Sequence, residues 1–198
     1  MSRSARWATE LLAPWVWVLA LPLAVAWAAT GHRVLPALGW GLLISVTGSL
    51  IPMAVIVHGA KRGKWDGHHV TNRAGRRVPL LFAGVSLGLG FVALLAGGAP
   101  ARLVALAASM LASLVVAVAV TFGAKFKISL HAAVASSAVV VLTLTYGPWA
   151  LLLAVAVAWV AWSRVELRDH TTPEVLAGLL MGVVVGGGAY WVLLTALS

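Results

Sequence analysis

Seven runs of apolar residues, at about 11–30, 35–57, 79–97, 101–122, 129–146, 148–163 and 174–197, dominate this sequence. An α-helix needs roughly 20 apolar residues to cross the hydrocarbon of a bilayer, whereas a barrel strand needs about 9–11. Inside lipid every backbone N–H and C=O must be satisfied within the protein, which leaves helices and closed barrels as the only spanning structures. Runs of helical length predict an all-α protein: a polytopic transmembrane helix bundle of six to seven spans, forming one domain over residues 1–198. Composition agrees, since 62% of residues are hydrophobic and 10% charged, with a mean hydropathy of +1.01. A soluble domain averages about 45–50% apolar and about 25% charged. The basic stretch Met1 to Glu10 ahead of the first run resembles a signal peptide. That run is long for one, contains Pro14 and Pro22 and has no small-residue cleavage site, so a retained first helix is expected. The absence of cysteine excludes disulfides, thiolate metal ligands and a Cys nucleophile.

The separators between the runs carry the polar chemistry. Alternating spans put the N-terminus, the loop 58–78, the break 123–128 and the patch 163–173 on one face. The turns 31–34, 97–100 and 146–148 fall on the other. Of the 14 Lys and Arg residues, all but Arg33 and Arg102 belong to the first face. Positive-inside logic therefore predicts a multi-pass protein of the cell membrane with this face in the cytoplasm. The net charge of +9 points to anionic headgroups and an anionic substrate. Nucleic acid is not expected, because nothing outside the bilayer is large enough to form a domain that binds it. Membrane lipids are the expected partners, and self-association into a homo-oligomer stays open.

All five acidic residues and five of the six histidines share that face. Ionisable groups are costly near lipid and tend to be functional where they are kept. They form three clusters. The first runs from Asp66 through His68 and His69 to Arg73, Arg76 and Arg77, just before Pro79 and Leu80. Convergent guanidiniums there would bind phosphate oxygens bidentately, though a basic stop at the membrane edge reads the same way. The second is Lys127, Ser129 and His131 at the start of the fifth run; a histidine so placed can equally be a hydrogen-bonded interface residue. The third is Ser163-Arg164 followed by His170 and Glu174. Pro173 fits the first turn of a helix capped by Thr171 or Thr172. Glu174, four residues after His170, can then accept from one imidazole nitrogen and fix its tautomer.

These stretches resemble the signatures of the type 2 phosphatidic acid phosphatase superfamily. Ser163-Arg164, five residues, His170, three residues and Glu174 is similar to its third signature, SRxxxxxHxxxD, with Glu in place of Asp. Lys127-Ile-Ser129-Leu-His131 resembles the second, PSGH, and Arg73-x-x-Arg76-x-x-Pro79-Leu80 a variant of the first, KxxxxxxRP. The likeness covers about residues 64–182. It implies an integral membrane, metal-independent phosphatase acting on a lipid phosphate or diphosphate, phosphatidate-like or polyprenyl, through a phosphohistidine. By this resemblance His170 is the nucleophile, Glu174 orients it, and His131 protonates the leaving oxygen and then activates water. Arg164, Ser129, Lys127 and members of the Arg73, Arg76 and Arg77 group would hold the phosphoryl oxygens, with no cofactor and no metal. Phosphoryl transfer to another acceptor, or a transporter or scaffold that retains the site without catalysis, are the competing readings.

Overall fold

The computed structural model describes residues 2–64 and 74–197, and every regular element among them is helical. Eight helices follow in order: α1 (Arg3–Leu11), α2 (Pro14–Ala29), α3 (Val34–Lys61), α4 (Arg77–Ala96), α5 (Ala101–Gly123), α6 (Leu130–Tyr146), α7 (Pro148–Glu166) and α8 (Thr172–Leu197). The all-α bundle is as expected, and each predicted apolar run lies on a helix. Five helices (α3, α4, α5, α7 and α8) are long and apolar enough to cross a membrane; counting the bent pair α1–α2 as one span makes six. α6 is shorter than these five. Its 17 residues rise about 26 Å at 1.5 Å each, against about 30 Å of hydrocarbon.

The N-terminal basic segment is itself a helix. Ala5, Ala8 and Thr9 are buried at helical spacing while Arg3, Arg6, Trp7 and Glu10 are exposed, so α1 lays one face on the bundle, against α7. Pro14 has no N–H to extend α1 and opens α2 instead. The two helices meet at 42°.

α6 lies at the centre, packed against α2, α7 and α8. Its sequence suits that place, because Ala and Ser fill most of its first half and let neighbours approach. Glycines of α8 exploit this. A Cβ at Gly178 would stand 2.5 Å from the Ser129 carbonyl oxygen, and one at Gly182 would overlap the Ala133 carbonyl oxygen and Ser136 Oγ. Ser136 Oγ in turn donates to the Leu179 carbonyl at 3.1 Å. Serines tie α3 to α2 in the same way, Ser45 to the Leu19 carbonyl and Ser49 to that of Trp15, both at 2.7 Å. Away from the polar end the core is aliphatic, with Val25, Ile44, Leu94, Leu103 and Leu106 around Tyr190.

Three helices loosen locally into π-turns, at Val46–Leu50, Ala119–Gly123 and Gly182–Gly187. The first has a clear cause. Pro52 has no N–H to offer the Gly48 carbonyl four residues back, so the helix widens there.

Candidate active site

The site is built where α4, α6 and α8 begin and α7 ends. Arg76 closes a short 3₁₀ turn, Ala74–Arg76, directly before α4. Its buried guanidinium donates from Nη1 to the Ile128 carbonyl at 2.9 Å. Lys127, two residues before the Ser129 cap of α6, donates from Nζ to the Asp169 carbonyl at 2.6 Å. The Ser129 N–H donates to the Glu174 carbonyl at 3.1 Å. Three segments far apart in sequence are thereby knitted at one end of the bundle.

The third segment owes its shape to how α7 stops. Arg168 takes a left-handed φ of 58°, a conformation that costs a non-glycine residue roughly 1–2 kcal/mol. The turn sends the chain back over its own helix. The His170 N–H then donates to the Arg164 carbonyl at 3.1 Å, and Asp169 Oδ2 meets Arg164 Nη2 at 2.9 Å. A charge-assisted pair and a backbone bond offset the strain. Six residues apart in sequence, Arg164 and His170 become neighbours.

His170 is buried, and its Nδ1 lies 3.1 Å from Glu174 Oε2. The same oxygen accepts the Thr171 N–H at 3.0 Å, so Glu174 caps α8 and holds the imidazole at once. An ionised carboxylate can only accept, which fixes Nδ1 as the protonated nitrogen and leaves the lone pair on Nε2. Burial lowers the His170 pKa to about 4, helped by the charges of Arg76, Lys127 and Arg164 and opposed by Glu174. At neutral pH the ring is therefore an uncharged base or nucleophile among cations.

Arg164 is 1% exposed. Besides Asp169, it donates from Nη1 to Thr9 Oγ1 at 3.2 Å, and Thr9 Oγ1 is 3.2 Å from Ser163 Oγ. Its Nε–H is buried without a partner among the described residues. A buried donor left so costs about 1–3 kcal/mol, a cost that an arriving anion would relieve. His131 is buried in the first turn of α6 and, with Arg76 and Arg164, lines one end of a half-open cavity. Ser129 is fully buried; its Oγ accepts the Ala132 N–H at 3.4 Å as the cap of α6.

Comparison with family models, with curated proteins and with solved structures finds no match to this chain. The site's chemistry therefore has to be read from its own geometry. Of the residues singled out in the sequence, Arg76, Lys127, Ser129, His131, Arg164, His170 and Glu174 come together. Arg77 does not join them; it is exposed, with its guanidinium 5.5 Å from the centre of the Phe122 ring. Arg73, Asp66, His68 and His69 lie outside the described residues. Sequence reasoning missed Thr9 and Asp169. The helical spacing of Ala5, Ala8 and Thr9 could have exposed α1, but nothing local connects Thr9 to a residue 155 positions away.

The depressed pKa has a testable sign. Its folded value of about 4 lies below the ordinary imidazole value of about 6.5. Between those limits only the unfolded chain takes the proton, so acidification from about pH 6.5 to about pH 4 costs stability. Imidazole NMR resonances absent from a His170→Ala variant are expected to titrate near pH 4. A midpoint above pH 6 would show that the ring is neither buried nor ringed by cations.

Proposed function

We propose that this protein is a membrane-embedded, metal-independent phosphatase that hydrolyses a lipid phosphate or diphosphate through a phosphohistidine. What carries the reading is His170: neutral at physiological pH, fixed by Glu174 with its Nε2 lone pair available, and set among Arg76, Lys127 and Arg164. The likeness of these stretches to the type 2 phosphatidic acid phosphatase signatures supports it.

The chemistry runs in two steps. The Nε2 lone pair forms a P–N bond while the bond from phosphorus to the bridging oxygen breaks. That oxygen takes a proton from His131 and leaves as an alcohol or as a phosphate monoester. Water then attacks phosphorus, gives a proton to His131 and displaces Nε2, releasing inorganic phosphate and regenerating the neutral imidazole. Arg164, Arg76 and Lys127, with the hydroxyl of Ser129, stabilise the charge on the phosphoryl oxygens as it spreads in each transition state. Fixed guanidiniums and an ammonium take the place that a divalent ion has in other phosphoryl transfers. The cation asymmetry between the two ends of the bundle supports a cytoplasmic position for this face under the same reading, and cysteine-accessibility scanning on the cysteine-free chain checks it.

The deciding assay is phosphate release from a panel of lipid monophosphates and diphosphates with chelator present throughout. At least one is expected to turn over, and vanadate to inhibit by occupying the oxyanion pocket. A panel that yields no phosphate with or without added divalent ions sinks the proposal; release only after metal is restored sinks its metal-independent form. Label recovered on an acceptor other than water would instead identify a phosphotransferase.

A further inference from the structure

Beneath the site lies a half-open cavity of about 270 Å³. Arg76, Arg164 and His131 line one end. The rest of the wall is mostly apolar, with Val18 of α2, Met53 of α3, Leu87 of α4, Met110 of α5 and Met181 of α8 among its residues. Pro79, Leu80, Ala83 and Leu87 line it along α4, about 12 Å of helix leading away from Arg76. The π-turn of α3 brings Gly48 into the same wall. A Cβ there would stand 3.2 Å from both Met110 Cε and Val18 Cγ1, so a larger residue would intrude on the space.

A cationic end opening into an apolar slot describes an amphiphile with an anionic head. An apolar cavity of about 150 Å³ accommodates one benzene ring, so this one holds on the order of ten carbons. That is enough for a length of one chain and too little for two side by side. We propose that the cavity is a tail-binding site: it takes the head-proximal part of a single aliphatic or isoprenoid chain whose phosphate sits at Arg76 and Arg164. The inference rests on the phosphatase reading and narrows its substrate to single-chain lipid phosphates, because the second chain of a phosphatidate finds no slot.

The test uses the full chain in lipid nanodiscs and a ten-carbon monoalkyl phosphonate with a terminal diazirine. Its P–C bond is not hydrolysed, so labelling is independent of turnover. After photolysis, label is expected on cavity residues such as Met53, Ala83, Leu87 and Met110. Leu81, Val85 and Leu89 on the outward face of the same α4 helix, 65%, 56% and 67% exposed, are expected to stay unlabelled. Ala83→Phe fills the slot and is expected to cut cavity labelling at least fivefold. Met53→Ala enlarges it and is expected to keep the label. Should Ala83→Phe not insert, Val134→Phe fills the same space from α6. Label confined to the outward residues, or indifferent to the filling substitution, overturns the tail site. Phosphate release together with outward labelling removes the tail site alone. Cavity labelling without hydrolysis of any single-chain phosphate removes the phosphatase reading alone.

Discussion

His170→Ala is expected to lower lipid-phosphate hydrolysis by about four orders of magnitude or more, and to abolish the phosphoenzyme altogether. Removing a nucleophile from a covalent mechanism leaves only the binding and oxyanion contributions, and losses of about 10⁴–10⁶ in kcat are typical. The structural cost is small by comparison. His170 sits between α7 and α8, its backbone bond to Arg164 does not involve the side chain, and Glu174 keeps its contact with the Thr171 N–H. The variant should insert normally. Rapid alkaline quench of the native protein with ³²P-labelled substrate should trap a phosphoramidate, stable in base and lost on acidification, that is missing from His170→Ala. His131→Ala separates from it cleanly. Its loss, about 10²–10⁴-fold for a general acid, should shrink with aryl phosphates, whose leaving groups need no proton. Trapped label in His170→Ala, or identical leaving-group dependence in the two variants, would reverse or remove the assigned roles.

Arg164→Lys is the second large effect, expected to reduce kcat/KM by about 10²–10³, the usual cost of removing one pre-organised donor from an oxyanion site. Lysine keeps the charge that Asp169 requires, so the fold should survive, yet a single ammonium cannot replace the guanidinium fork. In the native protein Nη2 serves Asp169, Nη1 serves Thr9 and Nε, without a partner among the described residues, is the donor the proposed mechanism assigns to the substrate. A lysine turned towards Asp169 leaves nothing aimed at phosphorus. The fall should appear in kcat more than in KM, because the interaction strengthens as negative charge spreads over the phosphoryl oxygens. Thr9→Val should show a weaker version of the same split, about tenfold, and Thr9→Ser should recover it. A defect confined to KM would mean that Arg164 binds ground state and transition state alike.

Much of this architecture can be read from the chain because membranes impose a simple length rule. Apolar runs locate the helices, and an even number of them between polar clusters returns those clusters to one end. His170 and Glu174 were legible for a local reason, a four-residue spacing at a helix start marked by Pro173. What escaped is non-local. Arg73, Arg76 and Arg77 look equivalent in sequence. Only the 3₁₀ turn before α4 decides that Arg76 points inward to the Ile128 carbonyl while Arg77 lies over Phe122. Thr9 reads as part of a basic anchor until α1 is folded onto α7. The membrane count shifts for a related reason. α6 is shielded by its neighbours and can be short, so length alone does not mark it as a span.

The close seating of α8 on α6 has a consequence for biogenesis. His131 stands on α6 and His170 just ahead of α8, and the two helices are held together by Gly178 and Gly182, which meet the backbone of α6 directly. The Arg164 end of α7 is in turn braced by α1, which is made long before it. A chain halted after His170 would carry both histidines and all the cations, yet lack Glu174 and the glycine seam that sets the two imidazoles in register. Under the proposed reading, the site is therefore complete only once α8 docks on α6. Co-expressing residues 1–170 with a separate 171–198 segment should restore it only where the two fragments find each other in the same membrane.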